Sequence, residues 1–203
     1  MLVTAAAKKT VRLNNLMRKV CQPRLNHTIA SDDLIHRVDF RVGKIVQIEQ
    51  HPDAAHLFIE QVDLNAETTE AMPNPRTIVS GLAPFMPIES LLNRNVIVVS
   101  NLKPSKFRGV LSQGMLLAAA TADSKTVRLL SPPTDSIIGE RVALEGVDWQ
   151  GQTDAVLKPK QKVFEQVASF LKTDASGIAT YKGIALNTSA GPVICELSDA
   201  QIS

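Results

Sequence analysis

The sequence predicts a mainly β protein whose larger part is a small closed or semi-closed barrel. Three observations predict it: short apolar runs recur with turn residues between them, the first run bends near a glycine, and a basic loop joins two of the runs. Such short strands are typical of small barrels. We expect a smaller α/β domain packed on the barrel at the C-terminal end, because the last third of the chain has only a small core to bury by itself.

The first predicted element is a basic amphipathic helix over residues 3–20. Apolar residues recur at i, i+3, i+4 and i+7 between Leu13 and Val20, opposite lysines and arginines, and Pro23 ends the pattern. Residues 1–30 hold six Lys and Arg and no acid. Three roles stay open for this segment: an arm that binds RNA, a helix that docks on a partner protein, or an organellar presequence.

From residue 35 onward the sequence has the period-two pattern of strands. Apolar and polar residues alternate from Val38 to Ile48 and slip phase near Gly43, which predicts a bulge or a sharp bend there. The sequence His51-Pro52-Asp53 predicts a turn. The remaining strands of the barrel are predicted at residues 57–62, 76–81, 96–99, 115–120 and 127–130.

Pro132-Pro133 marks the predicted end of the barrel and divides the chain into three units. They are a basic N-terminal helix and linker (1–34), the barrel (35–133), and the smaller C-terminal domain (134–203). In the last unit the pattern predicts strands at residues 141–144, near Tyr181 and at 193–195, and a helix over 162–171.

Composition limits the function classes. Of 203 residues, 44% are hydrophobic and 21% are charged, which is ordinary for a folded globular protein. The apolar runs are far shorter than the roughly 20 residues of a membrane span, so we expect no membrane insertion. Cys21 and Cys195 show no Cys-x-x-Cys or zinc-type spacing. We therefore expect free, inert thiols in a reducing, cytoplasmic setting, with no structural metal and no cofactor.

Charge is distributed in blocks although the net charge is only +2. Residues 31–70 hold nine acids and three bases, residues 94–128 hold six bases and one acid, and residues 158–182 hold five bases and two acids. Blocks of opposite sign predict a polarised surface, and a local basic patch rather than the total charge attracts a polyanion. Each block taken alone is equally compatible with a solvated face.

The most informative stretch is the basic loop, residues 101–115, which joins two predicted strands. It places three cations, an amide and a hydroxyl on a turn marked by Pro and Gly: Lys103, Lys106, Arg108, Asn101 and Ser112. A cationic, hydrogen-bonding loop carried on a sheet is what binding to a phosphate backbone requires.

The chain is poor in aromatic residues, with one Trp, one Tyr and six Phe. Most of the phenylalanines fall in apolar runs, whereas Phe107 lies between Lys106 and Arg108. Base stacking on aromatic rings is the main device of general single-strand binders. A basic loop with few rings therefore favours recognition of the backbone, the 2′-hydroxyls and the shape of a folded RNA.

The sequence does not indicate an enzyme. His51, Asp53 and His56 lie close together, but His-Pro-Asp is turn chemistry and no third ligand or orienting group is evident. The glycines match neither a phosphate-binding loop nor a dinucleotide fingerprint.

Several ordered motifs resemble the tRNA-binding domain family. They include Arg76-Thr77-Ile78-Val79-Ser80-Gly81-Leu82, Asn101-Leu102-Lys103-Pro104 and Arg108-Gly109-Val110-Leu111-Ser112-Gln113-Gly114-Met115. More narrowly, the chain is similar to the endothelial monocyte-activating polypeptide II-like branch. That branch includes C-terminal domains of some tyrosyl- and methionyl-tRNA synthetases and the yeast synthetase cofactor. The resemblance covers about residues 35–200.

The resemblance implies a five-stranded OB-fold barrel followed by a domain that mimics a dimer interface and keeps the chain monomeric. It implies a non-catalytic, structure-selective tRNA-binding protein that acts as a cofactor or an appended domain of aminoacyl-tRNA synthetases. Arg and Lys are expected to meet phosphates, and Asn, Ser and Gln to meet sugar or base edges. By the family's pattern the RNA surface includes Ser80, Asn101, Lys103, Lys106, Arg108, Ser112 and Gln113, extended by Lys158, Lys160, Lys162 and Lys182.

The alternative is a protein-interaction or cytokine-like module of the same fold. The family's segment Arg-Ile-Gly-Arg-Ile-Ile-Thr reads Arg41-Val42-Gly43-Lys44-Ile45-Val46-Gln47 in this chain. This departure argues against an extracellular signalling role, and a strand position alone explains these residues.

Overall fold

Five antiparallel strands wrap into a nearly closed barrel that carries the basic loop. The computed structural model describes residues 29–67, 73–147 and 153–203, and the helix predicted over 3–20 lies outside them. The helix α1 spans Val163–Ala168, and short 3₁₀ helices span Leu34–Arg37, Ile88–Ser90 and Pro159–Gln161. The strands described are β1 (Phe40–Gln50), β2 (Phe58–Asp63), β3 (Arg76–Ser80), β4 (Asn95–Val99), β5 (Ser105–Phe107), β6 (Val110–Ser112), β7 (Met115–Leu116), β8 (Ala118–Ala120), β9 (Val127–Leu129), β10 (Ala143–Leu144), β11 (Leu171–Thr173), β12 (Ala179–Tyr181), β13 (Ile184–Thr188), β14 (Gly191–Pro192) and β15 (Gln201–Ile202).

The barrel sheet has the strand order β3-β2-β1-β4-β7, with antiparallel neighbours throughout. Along β2, Phe58 and Val62 pack into the barrel interior, whereas Ile59 packs with Val79 of β3 in a separate cluster. This alternation is the period-two pattern that predicted the strands. The predicted mainly β fold with a five-stranded barrel is therefore confirmed.

The irregularity predicted near Gly43 lies further along β1. The pairing of β1 with β2 shifts register between Ile45 and Gln47, and Val46, which lies between them, is 41% exposed. Gly43 meets a different demand, because a Cβ there would lie 2.7 Å from Val62 Cγ1. The predicted position of the bulge is therefore wrong, since close strand packing rather than bending selects the glycine.

A second sheet joins the end of the barrel segment to the C-terminal residues. Its order is β10-β13-β12-β11-β15-β8-β9, with β14 paired to β13. β8 precedes Pro132-Pro133, whereas its partner β15 lies at the end of the chain. The largest apolar cluster likewise mixes Phe40 and Ile97 of the barrel with Leu171 and Ile202. The C-terminal segment thus packs on the barrel through a shared core, which its small size predicts.

Two C-terminal elements differ from the prediction. The helix predicted over 162–171 ends at Ala168, because Leu171 begins β11. The predicted strand at 193–195 is not a regular strand, since Ile194 makes only isolated bridges to Ser131 and Ile178. Within residues 29–67, 73–147 and 153–203, no helix is long and apolar enough to cross a membrane.

Candidate nucleic-acid interface

The basic loop predicted between two strands contains a β-hairpin. β5 and β6 pair through Lys106 and Leu111, and the turn at Arg108 and Gly109 has positive φ at both residues, 47° and 93°. Such values are typical of tight hairpin turns, and glycine adopts them readily because it lacks a Cβ. The side chains of Lys106, Phe107 and Arg108 are exposed. Both cations of the hairpin are therefore accessible to a polyanion.

Two residues of the basic loop, Ser112 and Gln113, are buried and help to close the barrel. Ser112 Oγ accepts a 3.0 Å hydrogen bond from Val79 N, and Gln113 N donates a 2.8 Å bond to Thr77 O. These bonds satisfy the edge of β3, whose main-chain groups need partners. The geometry does not favour the prediction that Ser112 and Gln113 meet sugar or base edges, because both are turned into the fold.

Asn101 is also buried, and its side chain serves the main chain. The amide group contacts main-chain atoms of Arg37, Asp39 and Asp154. An amide has one acceptor oxygen and two N–H donors, so these three bonds use both N–H groups and its oxygen. Asn101 therefore positions its neighbours in this structure rather than presenting its amide to solvent.

The structure brings Lys103 together with two lysines of the C-terminal segment. Leu102 and Leu157 form a parallel bridge, and Leu157 N donates a 2.7 Å hydrogen bond to Asn101 O. Beside this bridge lies a groove of about 480 Å³, lined by Lys103 and residues 156–161. We call it the lysine groove, because Lys103, Lys158 and Lys160 all line it and are all exposed.

Arg37 holds the C-terminal wall of the lysine groove in place. Its Nη2 lies 2.7 Å from Asp154 Oδ2 and donates a 2.7 Å hydrogen bond to Gln161 Oε1. The hydrogen bonds from Arg37 hold the pKa of Asp154 below its usual value. Since both side chains are about a third exposed (32% and 27%), the pair stabilises the fold by at most about 1 kcal/mol. Its main effect is to fix the segment that carries the lysines.

The remaining predicted contact residues have other surroundings. Lys162 follows the groove wall directly and is exposed. Lys182 Nζ lies 2.6 Å from Asp33 Oδ2 and 4.9 Å from the centroid of the Phe170 ring, beside a second cavity. Ser80 Oγ donates to Glu60 Oε1. Of these three, only Lys162 adjoins the residues of the lysine groove in the chain.

Structural roles account for His51 and Cys195, which are both buried. Asp53 N donates a 3.1 Å hydrogen bond to His51 Nδ1 in the His-Pro-Asp turn, so the turn interpretation is confirmed. Burial raises the pKa of Cys195 and disfavours its thiolate. In the described part of the chain, no cluster of three His, Cys, Asp or Glu is placed to hold a metal.

Comparison with known proteins decides the family. Residues 40–141 match the family described as a putative tRNA-binding domain. The crystal structure of the C-terminal domain of Plasmodium vivax p43 superposes with a TM-score of 0.76 at 31% identity, over 83% of this chain and 98% of that domain. This chain belongs to the tRNA-binding domain family.

Curated relatives of this tRNA-binding domain include two synthetases and a synthetase-complex protein. Cytoplasmic methionine–tRNA ligase of Arabidopsis thaliana is 43% identical over 80% of this chain and 19% of the ligase. Cytoplasmic tyrosine–tRNA ligase of Xenopus tropicalis is 44% identical over 78% of this chain and 29% of the ligase. Aminoacyl tRNA synthase complex-interacting multifunctional protein 1 of Cricetulus griseus is 40% identical over 73% of this chain and 39% of that protein. The tRNA-binding domain thus spans less than half the length of each.

The segment of the cytokine-like alternative lies inside the tRNA-binding domain's central strand. Arg41 Nε lies 3.0 Å from Asp39 Oδ1, and Arg41 Nη1 donates to Gly139 O at 3.0 Å. Val42 and Ile45 are fully buried. The strand position therefore explains most of this segment without a partner.

Sequence reasoning missed three residues that shape the site. Glu60 could have been found from its alternation with Phe58 and Val62, because this period-two signal predicts that all three side chains lie on the interior face. Arg37 and Asp154 carried no local signal, because they pair across more than a hundred residues.

Proposed function

We propose that this chain is a non-catalytic, structure-selective tRNA-binding protein that acts as a cofactor or an appended domain of aminoacyl-tRNA synthetases. The lysine groove carries the proposal, because it joins Lys103 of the barrel segment to Lys158 and Lys160 of the C-terminal segment. Membership of the tRNA-binding domain family supports the class of ligand.

A fixed set of cations suits a folded RNA better than a flexible polyanion. Lys106 and Arg108 extend from the hairpin, and the groove lysines lie on a segment pinned by Arg37 and Asn101. Phosphate contacts set the position and orientation of a protein on a nucleic acid. Cations carried on an anchored main chain favour a backbone with matching phosphate spacing, which a folded tRNA provides.

The decisive experiment reverses charge on the hairpin and at the lysine groove. Lys103→Glu with Arg108→Glu is expected to abolish tRNA binding in a gel-shift assay while leaving the fold intact. The logarithm of the wild-type affinity is expected to fall steeply with the logarithm of the salt concentration, by nearly one unit per phosphate contact. A flat response between about 50 and 200 mM salt contradicts phosphate recognition.

A matched variant controls for total charge. Lys125→Glu with Lys172→Glu makes the same change in net charge at two exposed lysines that neither lie on the hairpin nor line the lysine groove. This pair is expected to retain binding. Equal loss in both double variants indicates non-specific attraction rather than a defined surface.

The partner and the assembly state extend the proposal. By binding tRNA beside a catalytic domain, the module raises the effective tRNA concentration there without new chemistry. Relatives that are named synthetases or complex-interacting proteins support this role.

We expect a cytoplasmic monomer, and light scattering after gel filtration tests the assembly state. Retention of tRNA affinity by residues 31–203 tests whether the N-terminal segment serves RNA.

A further inference from the structure

The lysine groove has a property that phosphate binding does not use. Its lining surface is almost entirely apolar, although three lysines border it. Val156 is 42% exposed, and Pro159 is exposed as well. Lysine stems add further carbon surface, since their ammonium groups reach water while their methylenes pack along apolar neighbours. An apolar floor ringed by cations suits a ligand with a flat apolar part beside negative charge.

We propose that the lysine groove receives one unpaired nucleobase of the bound RNA, with the adjoining phosphates on Lys103, Lys158 and Lys160. This inference rests on the proposed function, because it names the RNA feature that the same surface takes. A volume of about 480 Å³ lies within the usual range of small-ligand sites, about 300–1,000 Å³. Nucleobases outside a duplex are commonly held between apolar side chains.

Gln161 is the uncharged polar residue among those that line the groove. Its Oε1 accepts a hydrogen bond from Arg37 Nη2, so the amide nitrogen is the group of this side chain that is left to donate. The neighbouring lysines are donors as well. Among the described residues, donors and no side-chain carboxylate line the groove, which suits the carbonyl and ring-nitrogen acceptors on base edges.

The first experiment compares three RNAs that differ at one position. They are a blunt RNA hairpin, the same hairpin with one unpaired 3′ nucleotide, and that hairpin with an abasic nucleotide at the same place. The last two carry the same phosphates, so their difference isolates the base. We expect the full-length protein to bind the intact nucleotide about tenfold more tightly than the abasic one, because only the intact nucleotide buries a base against the apolar floor of the groove.

The Val156→Ser variant tests whether the difference in affinity between intact and abasic RNA arises in the groove, with Val46→Ser as the control. Both valines are exposed to the same degree, 42% and 41%, but Val46 lies on β1 and does not line the groove. Val156→Ser is expected to erase the tenfold difference between the intact and the abasic RNA. Val46→Ser is expected to preserve the difference. A photoreactive thiouridine at the unpaired position is expected to crosslink within residues 156–161.

The outcomes separate this inference from the proposed function. Equal affinity for intact and abasic RNA, together with a steep salt dependence, overturns the base site and leaves tRNA binding standing. Absence of all tRNA binding overturns both. Val156-dependent binding of a polyglutamate peptide, with equal affinity for the two RNAs, overturns the base site in favour of an acidic protein partner.

Discussion

The side-chain amide of Asn101 donates a 2.8 Å hydrogen bond to the main-chain carbonyl of Asp154. The same nitrogen donates to Arg37 O at 2.8 Å, and Oδ1 accepts from Asp39 N at 3.0 Å. One buried side chain thereby satisfies main-chain groups of segments that are far apart in sequence. Lys103 comes two residues after Asn101, and Lys158 comes four residues after Asp154. These bonds therefore set the distance between the two sides of the lysine groove.

Asn101→Ala is therefore expected to lower both stability and tRNA affinity. Removing the amide leaves buried main-chain groups without partners, which lowers the free energy of unfolding by about 3 kcal/mol. Urea denaturation measures this loss, and filter binding measures the accompanying loss of tRNA affinity. Lys103→Ala is the matched control, since it removes an exposed side chain and is expected to change stability by less than about 0.5 kcal/mol. Wild-type stability in Asn101→Ala contradicts the positioning role.

Glu60 is expected to make the stability of the protein depend on pH in the neutral range. It is fully buried inside the barrel, and burial raises its pKa to about 8, against the opposing hydrogen bond from Ser80. The folded state therefore holds the proton that the unfolded state releases above about pH 4.5. Stability from this group is complete below the unfolded pKa and declines as pH rises to about 8, by up to roughly 1.4 kcal/mol per pH unit.

Glu60→Gln is expected to remove this pH dependence. Glutamine has nearly the shape of the neutral acid and accepts the same bond from Ser80, but it carries no ionisable proton. Urea denaturation at pH 5 and pH 8 is expected to show a smaller stability difference for the variant than for the wild type, with the variant more stable at pH 8. If the stability difference between pH 5 and pH 8 is the same for the two proteins, the result contradicts a buried, proton-binding Glu60.

The sequence was sufficient for the barrel strands but not for the direction of single polar side chains. Phe58 and Val62 lie on one phase of a strand that is long enough to define one, so the pattern was sufficient to predict the strand. Ser112 ends a three-residue strand, which is too short to define one. A polar residue in such a loop has the same local signature whether it faces RNA or closes the barrel. Ser112 is buried because it binds Val79 of β3, which lies far away in sequence.

The lysine groove depends on a contact that no local pattern encodes. The sequence predicted basic blocks around Lys103 and Lys158, and the structure joins them through the bridge between Leu102 and Leu157. Lys182 belongs to the same block by sequence, yet it pairs with Asp33. Charge blocks therefore identified cations in general, whereas long-range pairing decides which of them share a surface.

Tyr181 provides a spectroscopic report on the contact between the C-terminal segment and the residues that precede the barrel. Its hydroxyl donates a 2.6 Å hydrogen bond to Asp33 Oδ1. Burial raises the pKa of Tyr181, and the hydrogen bond to Asp33 raises it further. Burial opposes ionisation of Asp33, but hydrogen bonds from Lys182, Tyr181 and Ile35 N outweigh it, and the pKa of Asp33 lies below its usual value.

Because the chain has one tyrosine, phenolate absorbance reports Tyr181 alone. At about pH 10.5 the native protein is expected to show little phenolate, whereas the protein in urea shows mostly phenolate. Asp33→Asn is expected to lower the native midpoint, since it removes the carboxylate and leaves only burial. Stability from this raised pKa is complete below about pH 10 and is lost as pH rises further. An unshifted midpoint in Asp33→Asn excludes the proposed coupling.

Lys106 and Lys182 are expected to differ in their contribution to RNA binding. Lys106 lies exposed on the hairpin, whereas Lys182 is held by Asp33 and packs over Phe170. Lys106→Ala is expected to reduce the slope of log affinity for tRNA against log salt by about 0.7–0.9, the value for one lost phosphate contact. Lys182→Ala is expected to leave that slope unchanged, because its charge is already paired. The measurement is a salt titration by filter binding. A reduced slope in Lys182→Ala indicates that Lys182 contacts the RNA.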